Sequence, residues 1–395
     1  MNKSLFALGF ILLVGYGCSR PVKDMPTPPL VPSQSISPRP PVTLQKIDFT
    51  KNDTTIVFGD SWSDYGFEAN NFIKLFGDTS SQVIINKALI GLGSAHMVAE
   101  AFKCLNATQN NRNIITLCGF NDVRFTGATN EMLNFQKNAY RALLVNQFID
   151  TWRPGGNPDR FGGSFISFDQ LLTNHFKSSY SSGRKAAYTS IASGAYLEYD
   201  FTGTNIGVSF VGQDTTALEY YEPPHGKWRV LIDGVVIDTP NIHQQTTGHM
   251  PGYMASQKIF PYIRIYSGLS NGPHVLRLET IGEGIKFVDF VFTLRDPSLV
   301  NPVVIMKVPY MTEAGYQVDP WANKASDAAI DKVNNAIAEV RSEFGMIDPG
   351  YTKKIKLINT IDYFKRETDY RPDLIHPNVL GQLNLMHALK ENIIY

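Results

Sequence analysis

Cysteine is nearly absent from this 395-residue chain: Cys18, Cys104 and Cys118 are all it has. Three cysteines make no disulfide framework, and neither a Cys-x-x-Cys pair nor a Cys/His cluster suggests zinc. An excess of charge is missing too, since 36 Lys and Arg balance 36 Asp and Glu. No basic surplus points to nucleic acid, and no acidic run suggests a solvating tail. The N-terminal apolar run, Leu5 to Val14, is broken by a glycine and is too short for a comfortable membrane span. What remains is a globular composition, too long for one ordinary domain. Aromatics at 12% lean towards β-rich structure or sugar-facing surfaces.

The first 18 residues form a secretory signal: one lysine, an apolar stretch, small residues, then Cys18. Cys18 resembles the lipobox cysteine of bacterial lipoproteins, whose thiol is acylated and which becomes the new N-terminus. Gly17 fits that pattern, whereas Gly15 stands where Leu is preferred and Tyr16 is bulky. Plain secretion, or an apolar helix that stays in place, are the alternatives. Residues 19–50 are dense in Pro and Ser and lack aliphatic periodicity. Such a stretch is expected to stay extended, as a leash between a lipid anchor and a folded domain. The expected location is therefore outside the cytoplasm, on the cell envelope. Ser19 after Cys18 resembles signals for outer-membrane sorting in Gram-negative bacteria.

The folded part begins near Thr54. "TTIVFG" reads as a buried strand, Phe67 to Phe76 as a helix, and "SQVIIN" as the next strand. "GSAHMVAEAFKCL" has helical spacing, "NIITLCGFND" contains a third strand, and "NEMLNFQKNAYRALLVNQFI" a long helix. This alternation predicts a parallel sheet with helices on its faces, over residues 51–150. From 151 to 296 the pattern becomes short alternating runs with turn signals, including the hairpin dipeptide Asp233-Gly234. That predicts an inserted all-β domain, a β-sandwich. From 297 to 395 the α/β pattern resumes, with strands in "NPVVIMKVPY" and "IKLINTIDYF". Ser326 is a candidate N-cap for the helix between them, and a last helix closes the chain. The two flanking segments together have roughly the ~200 residues of a single domain. The insertion falls between the third and fourth strands, so it is expected near the rim where the strands end.

Polar groups gather at that rim. Ser61 follows the first strand, Gly91 the second and Asn121 the third, while His376 stands just before the last helix. Active sites of open α/β sheets lie at the carboxyl ends of the strands. A nucleophile, a base and amide donors at one rim are what acyl transfer needs. A glycine two residues before Ser61 permits a tight turn, and a helix starting after the serine would aim N–H groups at the reacting oxygen.

In order and spacing these blocks resemble the SGNH, or GDSL-type, hydrolases. "FGDSWSD" matches the first block, "NKALIGLG" the second, "GFND" the third and "DLIHPN" the last. The resemblance covers the α/β half of the chain. It implies a flavodoxin-like three-layer fold, with Ser61 as nucleophile, His376 as general base and Asp373 as its orienting carboxylate. It implies an oxyanion hole of the Ser61 N–H, the Gly91 N–H and the Asn121 side-chain amide, with Gly93 as the alternative glycine. It implies no metal and no cofactor. Ala88 replaces a usual glycine, and Trp62 follows the nucleophile where smaller residues are common. Trp62 is expected either to wall the pocket or to pack.

Each motif has a plainer alternative. Asp373 is also a candidate N-cap of a short turn. Asp60 and Asp122 are expected to be structural acceptors, and His96 a packed or solvated side chain. His225, His243 and His249 show no ligand spacing and are expected on the surface. Cys104 and Cys118 are either a disulfide or buried thiols. The insertion resembles carbohydrate-binding jelly-roll modules, and Tyr220, Tyr221 and Trp228 are candidates to stack on sugar rings or to fill the sandwich. The implied activity is removal of acetyl or other short acyl groups from a polysaccharide or glycan. Lipase or lysophospholipase action, O-acetyl transfer, and glycan binding without catalysis are the alternatives. The sugar, the acyl group and the oligomeric state are not legible in the sequence.

Overall fold

The computed structural model describes residues 45–68, 70–91, 93–103, 112–163, 165–168, 186–189, 193–213, 226–242, 259–282, 286–318 and 324–395. Cys18, Cys104, Tyr220, Tyr221, His225, His243 and His249 lie outside them.

The first α/β segment runs β1 (Ile47–Asp48), β2 (Thr54–Gly59), α1 (Phe72–Ser80), β3 (Val83–Asn86), α2 (Ser94–Lys103), β4 (Asn113–Leu117), α3 (Phe120–Thr126) and α4 (Asn130–Phe148). The inserted strands are β5 (Ile149–Pro154), β6 (Arg160–Gly162), β7 (Phe165–Phe168), β8 (Ala186–Thr189), β9 (Tyr196–Thr202), β10 (Asn205–Gln213), β11 (Gly226–Ile232), β12 (Val235–Asp238), β13 (Asn241–Ile242), β14 (Ile259–Ser267), β15 (Pro273–Ile281) and β16 (Lys286–Leu294). The chain then returns through β17 (Val303–Met306), α5 (Glu313–Val318), α6 (Asp327–Ile347), β18 (Ile355–Ile358), α7 (Val379–Asn392) and β19 (Ile393–Ile394).

Five strands form a parallel sheet in the order β18-β17-β4-β2-β3. Counted along the sheet's own strands this is 2-1-3-4-5 reversed, a doubly wound order. Burial follows the pleat. Ile56 and Phe58 of β2, Ile114 of β4 and Val303 and Ile305 of β17 face one core, with Met97, Leu143 and Ile337 from α2, α4 and α6. Val57, Ile115, Val304 and Met306 face the other, with Phe72 and Phe76 of α1 and Leu385 and Leu389 of α7. A strand covered on both sides is apolar along most of its length, which is why these stretches read as near-continuous runs. The result is three layers.

The expected helix over Phe67 to Phe76 begins five residues later. Asn71 caps it, its side chain accepting from the N–H groups of Ile73 and Lys74. The preceding stretch is turned instead by Asp64, which accepts from the Gly66 N–H. No helix therefore starts directly after Ser61 (the chain makes a turn there, with the Ser63 N–H on the Asp60 carbonyl). The strand within "IKLINTIDYF" stops at Ile358 and gives way to a 3-10 turn.

Among the described residues the insertion forms two antiparallel six-stranded sheets. One holds β14-β10-β16-β8-β7 with β5, the other β12-β11-β15-β9-β6 with β13. Leu197, Tyr199, Val208, Phe210, Trp228, Leu276 and Leu278 fill the space between them. Asp233 and Gly234 both have positive φ, as a two-residue hairpin requires.

Where the insertion joins corrects the expectation. α4 has 19 residues and at about 1.5 Å per residue outreaches the strand it follows. It carries the chain back to the rim where the strands start. There Gln147 Nε2 donates to the carbonyl of Arg112, just before β4, and the Arg295 N–H donates to the Phe148 carbonyl. The sandwich therefore leaves and rejoins at the rim opposite Ser61. It leans on the flank of α4, where the Ile263 N–H meets Asn138 Oδ1.

Candidate functional site

All five strands of the parallel sheet end at one rim, and the strand order reverses between β2 and β4. Ser61 comes two residues after β2 and Asn121 four residues after β4, on the two sides of that switch point. Ser61 is itself 6% exposed. The turn that holds it is tight: a Cβ on Gly59 would lie 2.8 Å from Ser63 Oγ. The Asp60 carboxylate accepts the Trp62 N–H within the same turn.

His376 and Asp373 reach Ser61 from the loop between β18 and α7. Ser61 Oγ lies 3.0 Å from His376 Nε2. His376 Nδ1 lies 2.9 Å from Asp373 Oδ2, so an Nδ1–H donates to the carboxylate. The other oxygen, Oδ1, accepts the backbone N–H groups of Ile375 and His376. Asp373 is thus both the cap of a short turn and a hydrogen-bond partner of the imidazole. Burial opposes its ionisation, but the hydrogen bonds from His376 and Ile375 outweigh burial and draw the carboxyl down to about 2.

The second loop is laced to the first. Asn86 Nδ2 donates to the Ser63 carbonyl, the Leu89 N–H to the Gly59 carbonyl, and the Ile90 N–H to Asp64 Oδ2. Gly91 follows with φ +75, and an added Cβ there would meet nothing within 4 Å. Gly93 is different, because its Cβ would sit 2.7 Å from Asp122 Oδ1. Gly93 is a packing glycine, and Gly91 is the one beside open space. Asp122 also receives the backbone N–H and the hydroxyl of Ser94, fastening the start of α2 beneath Asn121. Asn121 is buried in the first turn of α3.

Burial pushes the Asp60 carboxyl up to about 7, against the pull of its bond from Trp62. Burial raises Asp122 as well, against the bonds from Ser94 and Gln136. Burial also pushes the thiol of Cys118, a free cysteine, well up. His96 is half-buried, its Nε2 at 3.3 Å from the Lys87 carbonyl.

For two of the aromatic candidates the packing alternative holds. Trp62 is 2% exposed and packs on Phe120, Phe364 and Tyr370. Trp228 is 1% exposed and lies against Phe210 inside the sandwich, so it offers no face to a sugar. Three residues at the rim escaped the sequence reading. They are Asp64, which holds the loop of Gly91, and Phe67 and Arg371, which stand beside His376. Asp64 is the last residue of the first block, and that was the one available signal.

No protein-family model and no curated protein matches the chain. Solved structures that are similar include a family 36 carbohydrate-binding module in complex with calcium and xylotriose, at 17% identity over 36% of this chain and 100% of that one, TM-score 0.23. A family 35 carbohydrate-binding module from Clostridium thermocellum is similar at 12% identity over 37% of this chain and 98% of its own, TM-score 0.25. A family 35 module from Cellvibrio japonicus is similar at 15% identity, with 37% and 95% covered and a TM-score of 0.25.

Proposed function

We propose that the protein is an exported serine esterase of the SGNH type, removing short acyl groups, acetyl first, from a polysaccharide or glycan. The observation that carries this is the series Ser61 Oγ, His376 Nε2, His376 Nδ1, Asp373 Oδ2, with steps of 3.0 and 2.9 Å, at the switch point of a doubly wound sheet. His376 takes the Ser61 proton as Oγ attacks the acyl carbonyl. Asp373 holds the tautomer and stabilises the imidazolium. The N–H groups of Ser61 and Gly91 and the Asn121 amide receive the oxyanion, each such donor being worth about 3–4 kcal/mol of barrier. His376 then returns the proton to the leaving alcohol, and water releases the acyl group from Ser61 by the same steps. The glycan part of the proposal rests on the sequence resemblance of residues 151–296 to carbohydrate-binding jelly rolls. Export and a lipid on Cys18 rest on the N-terminal sequence pattern.

A lipase-type activity is the second reading, and one observation favours it. Leu89 and Ile90, just before Gly91, and Val379, Leu380 and Leu383, just after His376, are exposed apolar side chains. The test is hydrolysis of p-nitrophenyl esters from acetate to palmitate by the full-length protein. Acetate-selective turnover, lowered at least about 1,000-fold by Ser61→Ala, is the expected result. A preference for long chains would replace the glycan proposal with the lipase. No turnover of any ester by folded protein would remove the esterase.

A further inference from the structure

We propose that Phe67, backed by Arg371 and Glu68, is the positioning residue that holds the His376 imidazole against Ser61; this rests on the esterase proposed above. Asp373 alone does not fix that geometry. It stands three residues from His376 in one local turn, and its side chain is 42% exposed. The two can move together, because Asp373 sets the ring relative to its own loop and not relative to Ser61. That turn is also under strain: Leu374, between them, has φ +62, which a branched side chain rarely adopts. Something must hold the strained loop to the loop of the nucleophile.

Phe67 and Glu68 belong to the nucleophile's loop. The Phe67 ring lies 4.3 Å from the imidazole, centroid to centroid, with the planes at 44°. Its own place is set by the Phe67 N–H on the Asp64 carbonyl. Arg371 closes the arrangement. Its guanidinium stands 5.5 Å from the Phe67 centroid and forms an ion pair with Glu68. Its Nε donates to the Pro377 carbonyl at 3.0 Å and its backbone N–H to the His376 carbonyl at 2.8 Å. One arginine therefore grips both residues of the His376–Pro377 step and the loop of Ser61 at once. Trp62 on Tyr370 joins the same two loops underneath, but it touches neither His376 nor Asp373 in any ring contact. The ring that faces the imidazole is Phe67. The ionisable groups around the imidazole are Asp373, Arg371 and, behind the arginine, Glu68.

The test uses the full-length protein carrying Phe67→Ala, Phe67→Tyr, Arg371→Ala or Arg371→Lys. A positioning role predicts that Phe67→Ala lowers kcat about 100-fold while KM stays within about three-fold, since the proton path is lost and substrate contacts are not. Phe67→Tyr keeps the flat ring and should restore most of kcat. Arg371→Lys should restore only part of the loss in Arg371→Ala, because an ammonium pairs with Glu68 but lacks the second arm to the Pro377 carbonyl. A second readout does not need activity: the 15N resonances of the His376 ring should broaden or average in Phe67→Ala and stay single in Phe67→Tyr. Wild-type kcat together with an unchanged imidazole spectrum in Phe67→Ala would overturn the inference. A wild-type protein without ester turnover would overturn the esterase, and the imidazole spectra would then decide the clamp alone.

Discussion

Asp60 and Asp373 flank the nucleophile and its base, and they titrate in opposite directions. Asp373 is held at about 2, so its contribution to stability is present above the ordinary value of 3.8 and is lost as pH falls towards 2. Asp60 is raised to about 7, so its protonated form favours the fold below 3.8, and that contribution drains away as pH rises to about 7. An Asp60→Asn variant keeps an oxygen for the Trp62 N–H and carries no charge. Its urea midpoint should fall less than that of the wild type between about pH 4 and 7. The slope that Asp122 contributes, shifted the same way by burial, should remain. An unchanged slope in the variant would show that Asp60 is already ionised in the folded protein. At this scale the sequence spoke clearly for Ser61, Asp373 and His376, because each sits in a short block with its own spacing. It did not speak for Phe67 or Arg371, whose meeting depends on two loops about 300 residues apart. Trp228 was legible in hindsight: Lys227 and Arg229 on either side are exposed, and that alternation turns the ring inward.

Among elements, the loop from β3 to α2 governs the rim. Its two glycines make different demands. Gly93→Ala would push a Cβ into the Asp122 carboxylate and loosen its hold on Ser94 at the start of α2, at a cost of about 1–3 kcal/mol. Gly91→Ala strains only the backbone at φ +75, about 1–2 kcal/mol, and projects its methyl into open space. Thermal unfolding should therefore rank Gly93→Ala below Gly91→Ala, while ester turnover should suffer in both. Equal stability of the two would mean that α2 does not depend on Asp122. The inner strands of the parallel sheet were readable from apolar runs, since burial on both faces favours such residues. Helix starts were less so. Phe67 sits at a spacing that fits the apolar stripe of α1, yet Asp64 and Asn71 turn the chain between them, and side-chain caps of this kind override periodicity.

For the whole molecule, the order of segments in the sequence was enough to separate an α/β domain from a β insertion, but not to say which rim the insertion joins. That depended on the length of α4, which returns the chain to the start of the sheet before the sandwich begins. Among the described residues, the sandwich attached there stands beside the α/β domain, on the flank of α4. The proposed chemistry depends on Ser61 being the one nucleophile that His376 activates. The most direct measurement is reaction of the full-length protein with a fluorophosphonate, followed by mass analysis of its peptides. The expected result is a single phosphonyl adduct on Ser61, absent from His376→Ala and from heat-unfolded protein. Folded wild-type protein that takes no adduct, or takes it on another residue, would contradict it.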